Sequence, residues 1–254
     1  MFRSYTSPYV VTITGGAEVN TVMLSVSRVV SGDNRIYVED TTAGAIAGDN
    51  CTTLDANQVY CPEPTSGTVD LGEGDDSFGY TGHSDAAVAT LTVNAGGGND
   101  QVISASIGGN DTINGGAGND KLWGNGATDT IHGDEGADEV DGGSGNDTVY
   151  GDAGDDVVRG GPDDDQVDPG AGRDTVSGDD SGIGSGDGND RVNVRDGEQD
   201  QVTCGFGADT VTADAADVID SSECETIDRG SSSATNAGGS KTTDIAKVTL
   251  TVVL

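Results

Sequence analysis

Residues 115–123 read Gly-Gly-Ala-Gly-Asn-Asp-Lys-Leu-Trp and are the clearest copy of a unit that recurs every nine residues. Aspartate holds the sixth position of each copy, and an aliphatic residue holds the eighth. The aspartates of the regular array are Asp111, Asp120, Asp129, Asp138, Asp147, Asp156, Asp165 and Asp174. The aliphatic residues are Ile113, Leu122, Ile131, Val140, Val149, Val158, Val167 and Val176. A fixed nine-residue period rich in Gly and Asp is typical of a parallel β-solenoid.

The frame continues with less regular spacing on both sides of this array. The flanking aspartates that fit it are Asp76, Asp100, Asp190, Asp200 and Asp209. A seven-residue insertion, residues 178–184, precedes the second flank. Near the N-terminus, residues 15–22 keep the frame with Asn20 in the aspartate position, which indicates a degenerate repeat.

The chain is strongly acidic. It carries 45 Asp and Glu against 11 Lys and Arg, for a formal net charge of −34 and a pI near 4.1. Such a chain will not bind nucleic acid or an anionic membrane unaided. Disorder requires no fixed spacing, so the strict repeat indicates a folded chain whose charge is neutralised by cations.

The repeat geometry predicts where those cations lie. Six turn residues followed by three strand residues form half a coil, so 18 residues complete one coil. We expect Asp111, Asp129, Asp147 and Asp165 along one edge of the solenoid. The other edge takes Asp120, Asp138, Asp156 and Asp174. Carboxylates and turn carbonyls there form an all-oxygen cage, which suits several Ca²⁺ ions better than Mg²⁺. Metal binding and folding are then one event.

These residues resemble the RTX family, the hemolysin-type calcium-binding repeats, strongly over residues 96–177 and partially around Asp76 and residues 190–212. The resemblance implies a parallel β-roll whose ligands are the repeat aspartates and turn carbonyls. It also suggests a stand-alone secreted member with capped ends. The sequence departs from the family pattern at Ala127, Asp163 and Pro169, and at Asn125, Asp134 and Asp152, where the frame prefers Gly.

Four cysteines form two close pairs, Cys51 with Cys61 and Cys204 with Cys224. An even count in local pairs favours two disulfides and an oxidising compartment. Free thiols are the alternative; a zinc site is disfavoured because neither pair has zinc-ligand spacing. A bridge between Cys204 and Cys224 would hold the last coil against fraying.

Composition divides the chain into four parts. Residues 1–70 form an N-terminal β cap or a degenerate start of the solenoid, with a separate small β-domain as the alternative. Residues 71–228 form the β-roll, and residues 229–240 form a flexible linker. Residues 241–254 form a C-terminal tail, in which residues 247–254 alternate apolar and polar side chains like a β-strand.

No catalytic motif is present: the sequence has no HExxH, no G-x-S-x-G elbow and no P-loop. His83 is expected in a plain surface loop, and His132 on a solvated sheet face. We therefore expect a protein that is not an enzyme. No stretch reaches 18 apolar residues, so no membrane span is expected. Residues 1–4 lack a signal-peptide pattern, so a trimmed form or another export route is expected.

The leading interpretation is an extracellular calcium-binding structural protein, associated with the cell surface or a matrix. Residues 241–254 could join a sheet edge of the next subunit and build a filament. Alternatively, they fold back or act as an uncleaved secretion signal. Two other classes stay open. One is an accessory part of a secreted toxin or enzyme. The other is an ice-binding or adhesin module, suggested by the outward ladder of Thr112, Thr130 and Thr148.

Overall fold

The computed structural model describes the backbone of residues 10–14, 21–28, 34–40, 52–55, 58–62, 66–81, 90–104, 109–179 and 188–230. It describes the side chains of residues 67–79, 90–104, 109–179 and 188–230. The expected Cys51–Cys61 bridge, His83, Asn20 and residues 241–254 lie outside these ranges. Within the described ranges, no helix has the length and apolar composition that a membrane crossing needs.

All the secondary structure of the described residues is β. The N-terminal strands are β1 (Val10–Thr14), β2 (Thr21–Arg28), β3 (Asn34–Asp40), β4 (Thr52–Asp55), β5 (Gln58–Pro62), β6 (Ser66–Glu73) and β7 (Ser77–Thr81). The central strands are β8 (Thr90–Gly97), β9 (Gln101–Ile103), β10 (Thr112–Ala117), β11 (Lys121–Trp123), β12 (Thr130–Glu135), β13 (Glu139–Asp141), β14 (Thr148–Tyr150), β15 (Val157–Arg159), β16 (Gln166–Asp168) and β17 (Thr175–Ser177). The last strands are β18 (Arg191–Val194), β19 (Gln201–Thr203), β20 (Thr210–Ala213), β21 (Val218–Ile219) and β22 (Thr226–Asp228).

The strands form two sheets, and each coil gives one strand to each sheet. The ten-stranded sheet has the order β1-β6-β8-β10-β12-β14-β16-β18-β20-β22, and all its pairs are parallel. The twelve-stranded sheet has the order β21-β19-β17-β15-β13-β11-β9-β7-β2-β3-β5-β4. Coils that follow one another in parallel register form a β-solenoid, so the predicted parallel β-roll is confirmed.

The core is a ladder of aliphatic side chains between the two sheets. In the ten-stranded sheet Ile113 pairs with Ile131 and Ile131 with Val149; in the twelve-stranded sheet Leu122 pairs with Val140. All five are fully buried. Flanking strand residues point outward because side chains alternate across a strand. One apolar residue per nine gives a narrow core, so the turns must add stability of their own.

The N-terminal strands extend both sheets of the solenoid. Strand β1 pairs in parallel with β6, and β2 pairs in parallel with β7. Strands β3, β5 and β4 extend the twelve-stranded sheet by antiparallel pairing instead. Strands β1 to β5 therefore belong to the same two sheets as the strands of the roll.

Candidate metal centre

Each of the seven turns between residues 115 and 174 bends through two residues with positive φ, at the second and fourth positions of the frame. In the copy at residues 115–123 these are Gly116 (φ 103°) and Gly118 (φ 134°). The non-glycine residues in second positions are Asn125, Asp134 and Asp152, with φ between 69° and 72°. Asx residues tolerate this left-handed region better than other side chains. Their departure from the frame therefore leaves the turn geometry intact.

Two further departures occupy fourth positions. Ala127 has φ 96° and Asp163 has φ 81°. For alanine this conformation brings Cβ close to the following carbonyl oxygen. The turn at Ala127 is therefore strained by its own side chain.

The first glycine of the frame serves a different purpose. Gly133, the first glycine of its frame, does not have a positive φ, unlike Asp134 and Gly136 in the same turn. A Cβ on Gly133 would lie 2.5 Å from the carbonyl oxygen of Gly151 and 2.6 Å from Oδ2 of Asp138. The same two kinds of oxygen meet a Cβ at Gly115, Gly124, Gly142, Gly151 and Gly160. Glycine thus leaves a space, too small for a methyl group, between a carboxylate of its own turn and a carbonyl of the next coil.

The thirteen predicted aspartates form two columns along the edges of the roll. The first column is Asp111, Asp129, Asp147, Asp165, Asp190 and Asp209. The second column is Asp76, Asp100, Asp120, Asp138, Asp156, Asp174 and Asp200. Within a column the backbone N–H of each aspartate donates to Oδ1 of the aspartate one coil further on, at 2.6–2.9 Å. This bond holds the accepting carboxylates in one orientation.

The second carboxylate oxygen is buried and receives no hydrogen bond in most of these residues. The aspartates whose Oδ2 is in this state are Asp100, Asp120, Asp129, Asp138, Asp147, Asp156, Asp165, Asp174, Asp190, Asp200 and Asp209. Asp111 differs because Ser104 Oγ donates to its Oδ2. A buried acceptor without a donor costs about 1–3 kcal/mol, and more when it is charged. A column of such Oδ2 atoms is therefore strongly stabilised by bound positive charge.

The raised pKa values of the column carboxyls also show that burial disfavours their negative charge. Burial raises the pKa of Asp129 to about 7; the backbone N–H of Asp111 opposes the rise, and the negative charges of Asp111 and Asp147 add to it. Burial likewise raises the pKa of Asp165 to about 9, with the charges of Asp147, Asp190 and Asp179 contributing. Without a cation these two carboxyls therefore keep their protons to a higher pH than free aspartates do.

The donor set fits a hard divalent cation. Beside each of these six first-position glycines, the nearest polar atoms are one carboxylate oxygen and one carbonyl oxygen. Among the described residues, no three His, Cys, Asp or Glu side chains converge on one point. The site therefore depends on aspartates together with backbone carbonyls. Calcium accepts such mixed oxygen ligands in flexible geometry, whereas magnesium demands a near-ideal octahedron.

Both columns end on acidic residues that the sequence analysis did not place in them. The N–H of Asp200 donates to Oδ1 of Asp217 at 3.3 Å, and the N–H of Asp209 donates to Oε2 of Glu225 at 2.9 Å. The sequence did contain a signal for these two ends, because an isoleucine stands two positions after Asp217 and two after Glu225, as in the frame. At this end Oδ2 of Asp217 accepts from the N–H of Asp214 at 2.8 Å. The second column thus closes on a satisfied carboxylate.

Two arginines and one disulfide complete this C-terminal end. Arg195 donates to the carbonyl oxygens of Ala213 and Asp228, and Arg229 donates to that of Asp217. The predicted bridge between Cys204 and Cys224 is present, with Cα atoms 5.2 Å apart. Both cysteines lie in the core. The last coil is therefore held by contacts that involve no metal.

A parallel β-roll with two columns of buried, undersatisfied carboxylates belongs to the class of solenoids that hold cations between their coils. The family model for the RTX calcium-binding nonapeptide repeat matches residues 107–140 and 141–176. No curated protein and no solved structure matches the chain. Residues 107–176 are thus RTX repeats, as the sequence resemblance predicted, and the β-roll is a calcium-binding one.

Proposed function

We propose that the protein is an extracellular structural protein whose roll becomes rigid when several Ca²⁺ ions fill both aspartate columns. The observation that carries the proposal is the repeated Oδ2 atom, buried and without a hydrogen-bond donor, in eleven described aspartates. One cation between successive carboxylates would neutralise both and accept the turn carbonyl as a further ligand. The column aspartates then act as ligands, and the first-position glycines keep the space open.

Calcium concentration would select where the roll forms. Without cations the formal charge of −34 opposes a compact chain. RTX turns with affinities on the order of 10⁻⁴–10⁻³ M would be empty at cytosolic calcium and filled outside the cell. The chain would remain expanded during export and fold afterwards. We propose no catalytic role, because the carboxyls with strongly raised pKa are those that line the metal columns.

Calcium titration followed by circular dichroism and light scattering tests this function. We expect a cooperative gain of β-structure with a smaller hydrodynamic radius, reversal by a chelator, and a much weaker response to Mg²⁺. If chelation left both signals unchanged, the proposal would be wrong. The Cys204–Cys224 bridge should be kept oxidised throughout, so that only the metal varies.

A second candidate role is self-assembly by strand donation. Strand β1 lies at an edge of the ten-stranded sheet, with β6 as its one sheet neighbour among the described residues. Residues 247–254 alternate apolar and polar side chains, and the tail of residues 241–254 could pair with β1 of another copy. At the opposite end Arg195 occupies the carbonyl oxygen of Asp228 in β22. Deletion of residues 241–254 should then abolish calcium-dependent growth in particle mass; unchanged growth would rule this role out.

A further inference from the structure

On the outward face of the ten-stranded sheet, the ring of Tyr150 is held in place by a second ring, that of His132. Tyr150 follows His132 in the same column of side chains, one coil further on. Their rings stack with centroids 4.4 Å apart and planes inclined by 10°. His132 is itself anchored, because its Nδ1 lies 2.9 Å from Oδ2 of Asp152. One face of the Tyr150 ring is thus covered by a fixed neighbour.

The other face of the ring borders a groove. The next residue in the column is Asp168, whose side chain is too short to cover a phenol ring. A groove of about 220 Å³ opens here, between Tyr150 at one end and Thr212 at the other, with Gln166 and Asn193 also lining it. Asn193 Nδ2 donates to Oδ2 of Asp168 at 2.7 Å. The floor is therefore a preformed pair of polar groups beside a flat apolar wall.

The groove lies where a regular column of outward-facing threonines is interrupted. In the coils before it, Thr92, Thr112, Thr130 and Thr148 stand in register. At Gln166 and Arg191 this column changes to long side chains with planar ends. Planar amide and guanidinium groups offer several donors and acceptors in fixed directions. The composition of the surface changes where the groove lies.

The local charges decide which ligand chemistry fits. The groove contains one carboxylate, Asp168, and one guanidinium, Arg191, so neither sign of charge prevails there. An anion would also meet the repulsion of the whole acidic chain. A neutral molecule with one apolar face and many hydroxyl groups matches the Tyr150 ring on one side and the amides on the other.

We propose that this groove binds a pyranose ring of a neutral saccharide, stacked on the exposed face of Tyr150, with Asp168 and Asn193 bonded to its hydroxyl groups. The site would attach the roll to a glycan surface. It requires the folded roll, so it depends on calcium only through folding. The columns of metal-binding aspartates lie at the turns, outside the groove.

The test uses the full chain loaded with calcium. Hexasaccharides of glucose, mannose and N-acetylglucosamine serve as probes in saturation-transfer NMR and calorimetry, with an oligogalacturonate as the anionic comparison. We expect at least one neutral probe to bind and the anionic one to bind more weakly. Tyr150→Ala should lower the association constant at least about tenfold, whereas Tyr150→Phe, which keeps the ring, should change it less than about twofold.

Two further variants and a folding control make the outcome decisive. Asn193→Ala should weaken binding, while Thr112→Ala, on the same face but outside the groove, should not. Circular dichroism of every variant during calcium titration shows whether the roll itself has formed, which separates this site from the proposed function. Absence of binding by all neutral probes to the folded protein up to about 10 mM, or equal binding by wild type and Tyr150→Ala, overturns the proposal.

Discussion

Asp138 and Asp156 stand one coil apart, and the backbone N–H of Asp138 donates to Oδ1 of Asp156 at 2.8 Å. In return the N–H of Val157 donates to the carbonyl oxygen of Asp138 at 2.8 Å. Only Oδ1 of Asp156 is used by this exchange, and Oδ2 stays buried without a donor. The coil-to-coil bond thus positions a carboxylate whose other oxygen is kept for a cation.

Asp156→Asn should weaken calcium-driven folding. The amide keeps an oxygen for the N–H of Asp138 but replaces the charged Oδ2 by a group that cannot bind a cation. We expect the calcium midpoint of the β-structure transition to rise at least about threefold. The matched control is Asp155→Asn, since Asp155 is exposed and pairs with Arg173 at 2.8 Å. An equal shift in both variants would mean that net charge, not ligation, sets the midpoint.

Gly133→Ala should be more damaging than Gly197→Ala, although only Gly197 has a positive φ, of 100°. A Cβ at Gly133 meets oxygens of Gly151 and Asp138 within 2.6 Å, whereas a Cβ at Gly197 meets no atom within 4 Å. We expect a loss of more than about 2 kcal/mol of unfolding free energy at Gly133. Thermal unfolding in saturating calcium measures it. The opposite ranking would show that backbone conformation, not space, determines the first-position glycine.

Ala127→Gly should stabilise the calcium-loaded roll. Relief of the strain at φ 96° outweighs the greater freedom that glycine gives the unfolded chain, for a net gain of about 1 kcal/mol. Denaturant unfolding in excess calcium measures the change. Ala137→Gly is the control, because Ala137 has no positive φ and should lose stability. A loss in both variants would contradict the strain argument.

Stability should depend on pH in opposite directions with and without calcium. Burial raises the pKa of Asp147 and Asp156 from 3.8 to about 7 in the folded state, so the metal-free roll is stabilised by protonation. Its stability should fall as pH rises from about 4 through about 7, because the unfolded chain releases these protons first.

With saturating calcium the ion replaces the protons, so stability should instead fall as pH decreases through the same range. The β-structure signal of circular dichroism in chelator and thermal unfolding in calcium, each measured between about pH 5 and pH 8, compare the two pH dependences. Parallel slopes would show that protons and calcium do not compete for the same carboxylates.

The sequence predicted most of the central coils because the period is regular there. Where insertions occur in the turns, the register survives but the spacing does not. Thr68, Thr92 and Thr112 stand in one column, yet their separations are 24 and 20 residues rather than 18. The 18-residue spacing alone therefore does not place Thr68 and Thr92 in this column. Strand pairing is set by the coil cross-section, which a turn insertion does not alter.

The ends of the roll were harder to predict for a related reason. Asp217 and Glu225 follow Asp200 and Asp209 by 17 and 16 residues, and the glycines of the frame are gone. The contacts of Arg195 and Arg229 with carbonyl oxygens depend on where the last coil stops. Such contacts are specific to one end and leave no repeating signal.

The N–H to Oδ1 bonds repeat every 18 residues between Asp111 and Asp165. Each of these bonds joins one coil to the adjacent coil only. Duplication or deletion of one 18-residue segment would therefore create the same junction that it removed. The length of the molecule can change in increments of about 4.8 Å, the spacing of adjacent strands. Tandem duplication during evolution can therefore change the length of the roll without any change to its two ends.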